Sequence, residues 1–376
     1  MLRVAGGRNP PATHFLADNR AVRVLVTGAA GYIGAHVAWE LGRAGFSLLC
    51  LDDLSRGHME AILRLGRKLP PGSLVFRRGR VGDRRKISSF LRDYPCLACI
   101  HLAGLARVEE SVARPELYFR KNVSETLALL EVLERAGVRV FVFSSSAAVY
   151  GRPAQLPLRE DSPCRPESPY GRAKLMVEGM LHDFSRAYGW RVISLRYFNV
   201  AGAHPDGDLG EDHRPETHLI PRAIGAVLHP RKPLLIHGTD YPTRDGTAVR
   251  DYVNVLDLAR AHRLALESLL QGHPGGVYNL GTGEGFTVRE VLEAVSRVTG
   301  RRVPQVEGPR RPGDPEALVA SCERARREWG WEPETGLEET VTQAWRWHLS
   351  YPQGYGREKG SQKKSYVREQ VAQPRG

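Results

Sequence analysis

The feature that most constrains this chain is Val22–Leu41, which reads VRVLVTGAAGYIGAHVAWEL. Val22, Val24, Leu25 and Val26 form a short apolar, mostly β-branched run, which suits a buried parallel strand. Glycines follow at 28, 31 and 34, and from Gly31 the apolar residues Ile33, Val37 and Leu41 recur at helical spacing. Strand, tight glycine turn and helix in that order are the context a dinucleotide-binding turn requires. Gly28 lets the chain turn, Gly31 lets the backbone approach a pyrophosphate, and Gly34 lets the helix lie close on the strand. The helix N-terminus adds free N–H groups and a partial positive charge for that phosphate.

The next apolar run, Ser47–Leu51, ends at Asp52-Asp53, about twenty residues past the turn, where a carboxylate accepts hydrogen bonds from the adenosine ribose hydroxyls. A carboxylate there repels a 2′-phosphate, so NAD is expected rather than NADP, with Arg56 the one neighbour that argues the other way. Strands over Leu74–Phe76, Leu97–Leu102, Val138–Phe143 and Arg191–Arg196 then alternate with helices over Lys86–Leu91, Pro115–Arg135 and Ser168–Tyr188. This rhythm predicts an α/β fold: a doubly wound parallel, Rossmann-type sheet with a smaller C-terminal α/β substrate lobe. The cofactor domain is expected over 21–198, with 250–271 returning to it, and the lobe over 199–249 and 272–355. A helix is expected from Leu219 to Leu228, and Tyr252–Val255 with Leu256–Leu270 reads as a strand and helix of the main sheet. Val277–Leu280, Val288–Val298 and Thr340–Leu349 read as lobe elements. Residues 1–20 read as a disordered leader and 356–376 as a disordered basic tail.

Composition excludes several function classes. Of the net charge of +12, the stretch from Arg357 to the end carries +4 (six basic, two acidic residues) and the first twenty residues +2 (three basic, one acidic). Half of the excess thus lies at the ends, and no zinc knuckle, RNP motif or aromatic–basic alternation accompanies it, so no nucleic-acid partner is expected. No apolar run reaches about 18 residues, so no membrane span is expected. Cys50, Cys96, Cys99, Cys164 and Cys322 are odd in number and scattered, which points to a reducing cytoplasm rather than a disulfide framework. Cys96 and Cys99 form a CxxC near His101, but no second pair follows at zinc spacing; Cys99 is expected in a strand core, and no metal is expected.

Tyr170 and Lys174 lie four apart on a predicted helix, in SPYGRAK, which puts both side chains on one face. A phenol with its usual pKa near 10 is a poor base at neutral pH, and a nearby ammonium and a pyridinium lower that value. Ser146, at a predicted strand end, is placed to hydrogen-bond the same substrate oxygen. The three together suit removal of a hydroxyl proton while hydride leaves the same carbon for NAD.

Given VLVTGAAGYIGAH, LDDLSRGH, HLAGLARVEESV, FSSSAAVYG, SPYGRAKLMVE, LRYFNVAGAHPDGDLGED, GTDYPTRDGTAVRDYV and YNLGTG, the chain resembles the extended short-chain dehydrogenases/reductases, and within them the UDP-glucose (UDP-galactose) 4-epimerases, over roughly Val22 to Tyr355. The resemblance implies a homodimer joined through helices of the cofactor domain, with tightly held NAD that is reduced and reoxidised each turnover. By position it implies that Tyr32 and Ile33 lie on the pyrophosphate and that Asp52, Asp53, Leu54, Ser55, Arg56 and Gly57 surround the adenosine ribose. Leu102, Ala103, Gly104, Leu105 and Ala106 line the dinucleotide beside Asn122; Ser146, Tyr170 and Lys174 are the catalytic trio; Phe198 flanks the nicotinamide. On the UDP-sugar side, Asn199, His218 and Leu219 match diphosphate and hexose contacts, Arg250 and Arg311 a diphosphate clamp, and Asp314 a uridine ribose contact.

Several positions depart from the pattern. The acid that holds the adenine amino group is replaced by Arg80, next to Val81, with Asp83 further along. Ala106 replaces a lysine, Ala148 a threonine two residues past the catalytic serine, and His237 an aromatic residue near uracil. Leu318 occupies the position that gates the sugar pocket, and leucine leaves more room there than tyrosine, so N-acetylated UDP-sugars are expected to be tolerated. Ala147-Ala148 stand where a 4,6-dehydratase carries Asp-Glu, which argues against dehydration. The readings left beside 4-epimerisation of UDP-glucose and UDP-galactose are another nucleotide-sugar epimerase, for example on UDP-xylose, and a non-catalytic NAD-binding protein.

Overall fold

The computed structural model describes residues 22–311 and 314–356; the expected leader, and the expected tail beyond Gly356, lie outside the described residues. Six strands come first: β1 (Arg23–Thr27), β2 (Ser47–Asp52), β3 (Leu74–Arg78), β4 (Ala98–His101), β5 (Val140–Ser144) and β6 (Arg191–Tyr197). They are followed by β7 (Asn199–Ala201), β8 (Leu234–His237), β9 (Val249–Arg250), β10 (Tyr252–Asn254), β11 (Gly275–Leu280), β12 (Phe286–Thr287), β13 (Gln305–Gly308) and β14 (Ala317–Leu318). The main sheet is seven-stranded and parallel, in the order β11-β6-β5-β4-β1-β2-β3. This is the doubly wound arrangement, and its order reverses between β1 and β4, where such sheets bind ligands. The central strands are apolar on both faces because helices cover both: Val24, Leu25, Val26 and Ile100 are fully buried.

Three expectations are corrected. Pro115–Arg135 is not one α-helix, because Phe119–Ser124 forms a π-helical segment between Pro115–Tyr118 and Glu125–Arg135. The widened turn carries Asn122, whose side chain bonds across to Leu105. Second, β10 does not join the main sheet; it pairs in parallel with β7, beyond the end of β6. Third, the seventh strand of the main sheet is β11, read from sequence as a lobe element; it pairs with β6. Periodicity finds both segments but does not say which edge each one joins. The helix Val255–Leu270, capped by Asn254 at its Leu256 N–H, packs on the sheet through Leu258, Ala259 and Leu266 and is pinned to the first helix by Arg263–Glu40.

The lobe has its own apolar core, built from helices Leu219–Leu228, Val288–Thr299 and Leu337–Ser350. A capping box between Thr287 and Glu290 starts the second of these. β9 joins β12 and β14, and β8 joins β13.

Candidate functional site

The glycine turn forms as the sequence requires. Gly28 has φ +71°, and a Cβ there would lie 2.7 Å from the Ala103 nitrogen, so the turn after β1 and the turn after β4 can touch only if it stays glycine. Gly34 would place a Cβ 2.0 Å from the Gly28 carbonyl oxygen, which fixes the helix against the turn. Gly31 caps the helix Tyr32–Arg43 with extended backbone and meets little besides Gly28, leaving that side of the first turn open. Gly57 closes against Ala30. The Tyr32 side chain points away, its hydroxyl donating to the Gly202 carbonyl, so only the backbone of Tyr32 and Ile33 is available to a phosphate.

A cleft runs from this turn across the ends of β2 and β3. Its lining contains Gly28, Gly31, Asp52, Asp53, Ser55, Arg56, Gly57, Arg80, Val81 and the loop Leu102–Leu105, all predicted from sequence, and also Gly79, Lys121 and Glu125, which were not. Asp52 is buried; each carboxylate oxygen accepts one backbone N–H, from Ala30 and Leu54, and burial holds its carboxyl above the usual range against those bonds. It therefore ties β2 to the glycine turn and holds Leu54 at φ +61° while keeping lone pairs toward the cleft. Asn122 closes the other wall with two 2.8 Å bonds to the Leu105 backbone. The cations along the cleft are matched: Arg56 bonds Glu110 at 2.8 Å, Arg80 bonds Glu125, and Lys121 lies 3.2 Å from Glu125. The turn, the helix start and the acid at the end of β2 fit an NAD molecule in kind and in order.

Ser146, Tyr170 and Lys174 lie outside that lining, on the same edge of the sheet. Ser168 caps the helix Pro169–Tyr188 through the Gly171 N–H, which sets Tyr170 and Lys174 on its buried face. Tyr170 and Lys174 are 7% and 6% exposed. The Lys174 ammonium donates to the Ser144 carbonyl at 2.6 Å and lies 5.8 Å from the Tyr170 ring centroid. Burial lowers the Lys174 pKa to about 8, against the pull of Glu178. Burial also raises the Tyr170 phenol, and a hydrogen bond with Ser146 opposes this. The sequence-based expectation is a phenol lowered by Lys174 and a pyridinium together; in the polypeptide alone burial raises it instead. Phe198 and Leu318 share one apolar cluster with Ala147 and Val149.

The lobe-side residues are placed differently from expectation. Arg250 is not a free guanidinium: it pairs with Asp314 and donates to the Pro315 carbonyl at 2.8 Å. Arg311 lies 3.3 Å from Glu109. Both arginines thus carry carboxylates that sequence spacing did not show. Asn199 is exposed, on β7; Leu219 begins the helix that His218 caps. His237 ends β8, its imidazole held low by burial and by Arg311 and Arg222. His218 bonds the buried Glu211, which holds the imidazole up at about 9 against burial. Glu211, His213, Glu216 and His218 bring four possible ligand atoms within 4.8 Å of one another, with His213 and His218 both bonded to Glu211. His101 is consumed structurally between Thr27 and Thr126, and burial takes its pKa down to about 3. Cys99 is fully buried in β4, and the five cysteines are unpaired.

Residues 24–281 match the family described as NAD dependent epimerase/dehydratase. The chain is 44% identical over 335 residues to the UDP-glucose 4-epimerase of Streptococcus mutans, covering 88% of this chain and 98% of that one. It is 43% identical over 334 residues to that of Bacillus subtilis, covering 88% and 98%. Among solved structures it superposes on the UDP-glucose 4-epimerase of Bifidobacterium longum in complex with NAD+ and UDP, with a TM-score of 0.85, 37% identity, and coverage of 89% of this chain and 100% of that one. The chain belongs to the NAD dependent epimerase/dehydratase family and, within it, to the group formed by the UDP-glucose 4-epimerases.

Proposed function

We propose that this chain interconverts C4 epimers of UDP-hexoses, UDP-glucose with UDP-galactose first among them, with NAD as resident cofactor. The observation that carries the reading is the buried Tyr170 and Lys174 with the half-buried Ser146, on the same sheet edge as the glycine turn and its cleft. The nicotinamide, when bound, supplies a site to which hydride leaves the sugar C4 and from which it returns. Tyr170 takes the C4 hydroxyl proton onto its phenol oxygen and later gives it back. Ser146 holds the same sugar oxygen and the phenol. Lys174, protonated below about pH 8, supplies positive potential beside the ring. Epimerisation needs no further acid or base, because rotation of the 4-keto sugar presents its other face.

Arg250, Arg311 and His218 are the cations proposed for the diphosphate, the first two by exchanging Asp314 and Glu109 for phosphate oxygens, which frees Asp314 for a ribose. Leu318, beside Phe198, is smaller than a tyrosine would be there, which supports tolerance of an N-acetyl group. We place the protein in the cytoplasm, a reading supported by five unpaired thiols. Among the described residues no helix is long and apolar enough to cross a membrane. A homodimer through cofactor-domain helices is supported by Val112 and Met176, 64% and 51% exposed on the packed helices Val108–Ala113 and Pro169–Tyr188. The test is incubation of the purified protein with UDP-galactose, UDP-GlcNAc and UDP-xylose without added NAD, with products separated by chromatography. UDP-glucose from UDP-galactose is the expected product; bound dinucleotide with no turnover of any of the three selects the non-catalytic reading.

A further inference from the structure

The far end of the cleft carries a carboxylate that sequence spacing did not reveal. In a doubly wound sheet the pyrophosphate lies on the glycine turn and the adenosine ribose on the acid ending β2, so the base lies beyond, over the end of β3. There the cleft is walled by Gly79, Arg80, Val81, Lys121 and Glu125. Asp83, the acid nearest in sequence, is occupied: its side chain caps the helix Arg84–Asp93 at the Lys86 N–H, and it does not line the cleft. Asp53 accepts the Ser55 N–H. Glu125 remains. Its side chain is 9% exposed, and Arg80 and Lys121 both approach the same oxygen, Oε1; Oε2 has no hydrogen-bond partner among the described residues. Gly82 leaves no space behind it, since a Cβ there would lie 2.8 Å from the Glu125 Cγ.

We propose that Glu125 reads the adenine base of the cofactor, accepting a hydrogen bond from its exocyclic amino group, while Arg80 and Lys121 hold the carboxylate in place. Burying a carboxylate is costly unless it is paired, and the two cations provide that pairing from one side, leaving the other oxygen for the ligand. The charge at the end of β3 is thus reversed at position 80 and the acid is supplied across the cleft from position 125. Glu125 opens the helix that follows the π-helical segment, which sets it facing the ends of β2 and β3. A base with a carbonyl in place of the amino group would turn an acceptor toward this carboxylate and be repelled.

The proposal rests on the NAD reading, and the test separates the two. Purified holoprotein is incubated with equal concentrations of NAD and nicotinamide hypoxanthine dinucleotide until the bound ratio is constant, then desalted, and the bound dinucleotides are quantified by mass spectrometry. The native chain should retain NAD over the hypoxanthine analogue by on the order of 10- to 100-fold, the worth of one charge-assisted hydrogen bond. Glu125→Gln should bring the ratio near one. Arg80→Ala should keep most of the preference, because Lys121 still faces the carboxylate. Should Glu125→Gln prove unstable, the double variant Arg80→Ala/Glu125→Ala removes both partners and should lose the preference equally. Equal uptake of the two dinucleotides by the native chain, or an unchanged ratio in either Glu125 variant, overturns the proposal. A purified protein without any dinucleotide refutes the NAD reading instead, before exchange begins.

Discussion

Replacing Lys174 by methionine should make the protein more stable while abolishing turnover. Lys174 is 6% exposed, and burial lowers its pKa from 10.5 to about 8. At ~1.4 kcal/mol per pH unit, that shift is a native-state cost of about 3 kcal/mol at neutral pH. Methionine has a similar volume and brings no charge into the interior. It leaves the Ser144 carbonyl without its 2.6 Å donor. That loss returns about 1–2 kcal/mol, so the net gain at pH 7 is about 1–2 kcal/mol. The sign with pH follows from the native value lying below the unfolded one. Between about pH 8 and 10.5 the unfolded chain binds more protons than the native chain, so native stability rises with pH there, and the methionine variant lacks this rise. The gap between the two proteins should therefore close by about 2 kcal/mol between pH 8 and pH 9.5. Urea unfolding of both at matched NAD saturation measures it, alongside turnover of UDP-galactose. A gap that does not move with pH, or a variant clearly less stable at pH 7, refutes the claim that this ammonium is held in the interior at a cost.

Gly34→Ala puts a methyl 2.0 Å from the Gly28 carbonyl oxygen, so the first helix must move off the turn. A loss of about 2 kcal/mol or more in unfolding free energy is expected, with lower dinucleotide content after purification; wild-type content would refute the close-packing role. Leu318→Tyr puts a larger side chain beside Phe198, where the proposal places the sugar. It should lower turnover of UDP-GlcNAc far more than that of UDP-galactose, and equal losses would remove Leu318 as a selector.

What could be read from the residues followed range of interaction. The glycine turn and the Tyr170–Lys174 pair are local: a tight turn, a close helix and one helical face each need particular residues at fixed short spacing, and the structure places them so. The alternation of strands and helices gave the parallel sheet for the same reason. Pairings across long stretches were not legible. Arg250 and Asp314 meet across 64 residues, and Arg80 and Glu125 across 45. Spacing alone said nothing of either pairing. The edge that β10 and β11 would each join is also a tertiary matter, decided by where β6 ends and β7 begins. The burial that raises the phenol was not legible for a different reason: it comes from the fold around it, and a sequence carries no measure of burial at one atom.

The central claim is that Tyr170 moves the proton while NAD stays bound, and Tyr170→Phe tests it most directly. Phenylalanine keeps the ring in its buried place and removes only the hydroxyl. With NAD content and UDP-galactose turnover measured on the same preparation, the variant should hold as much dinucleotide as the native chain and turn over at least roughly 100-fold more slowly. Turnover at the native rate would contradict the account.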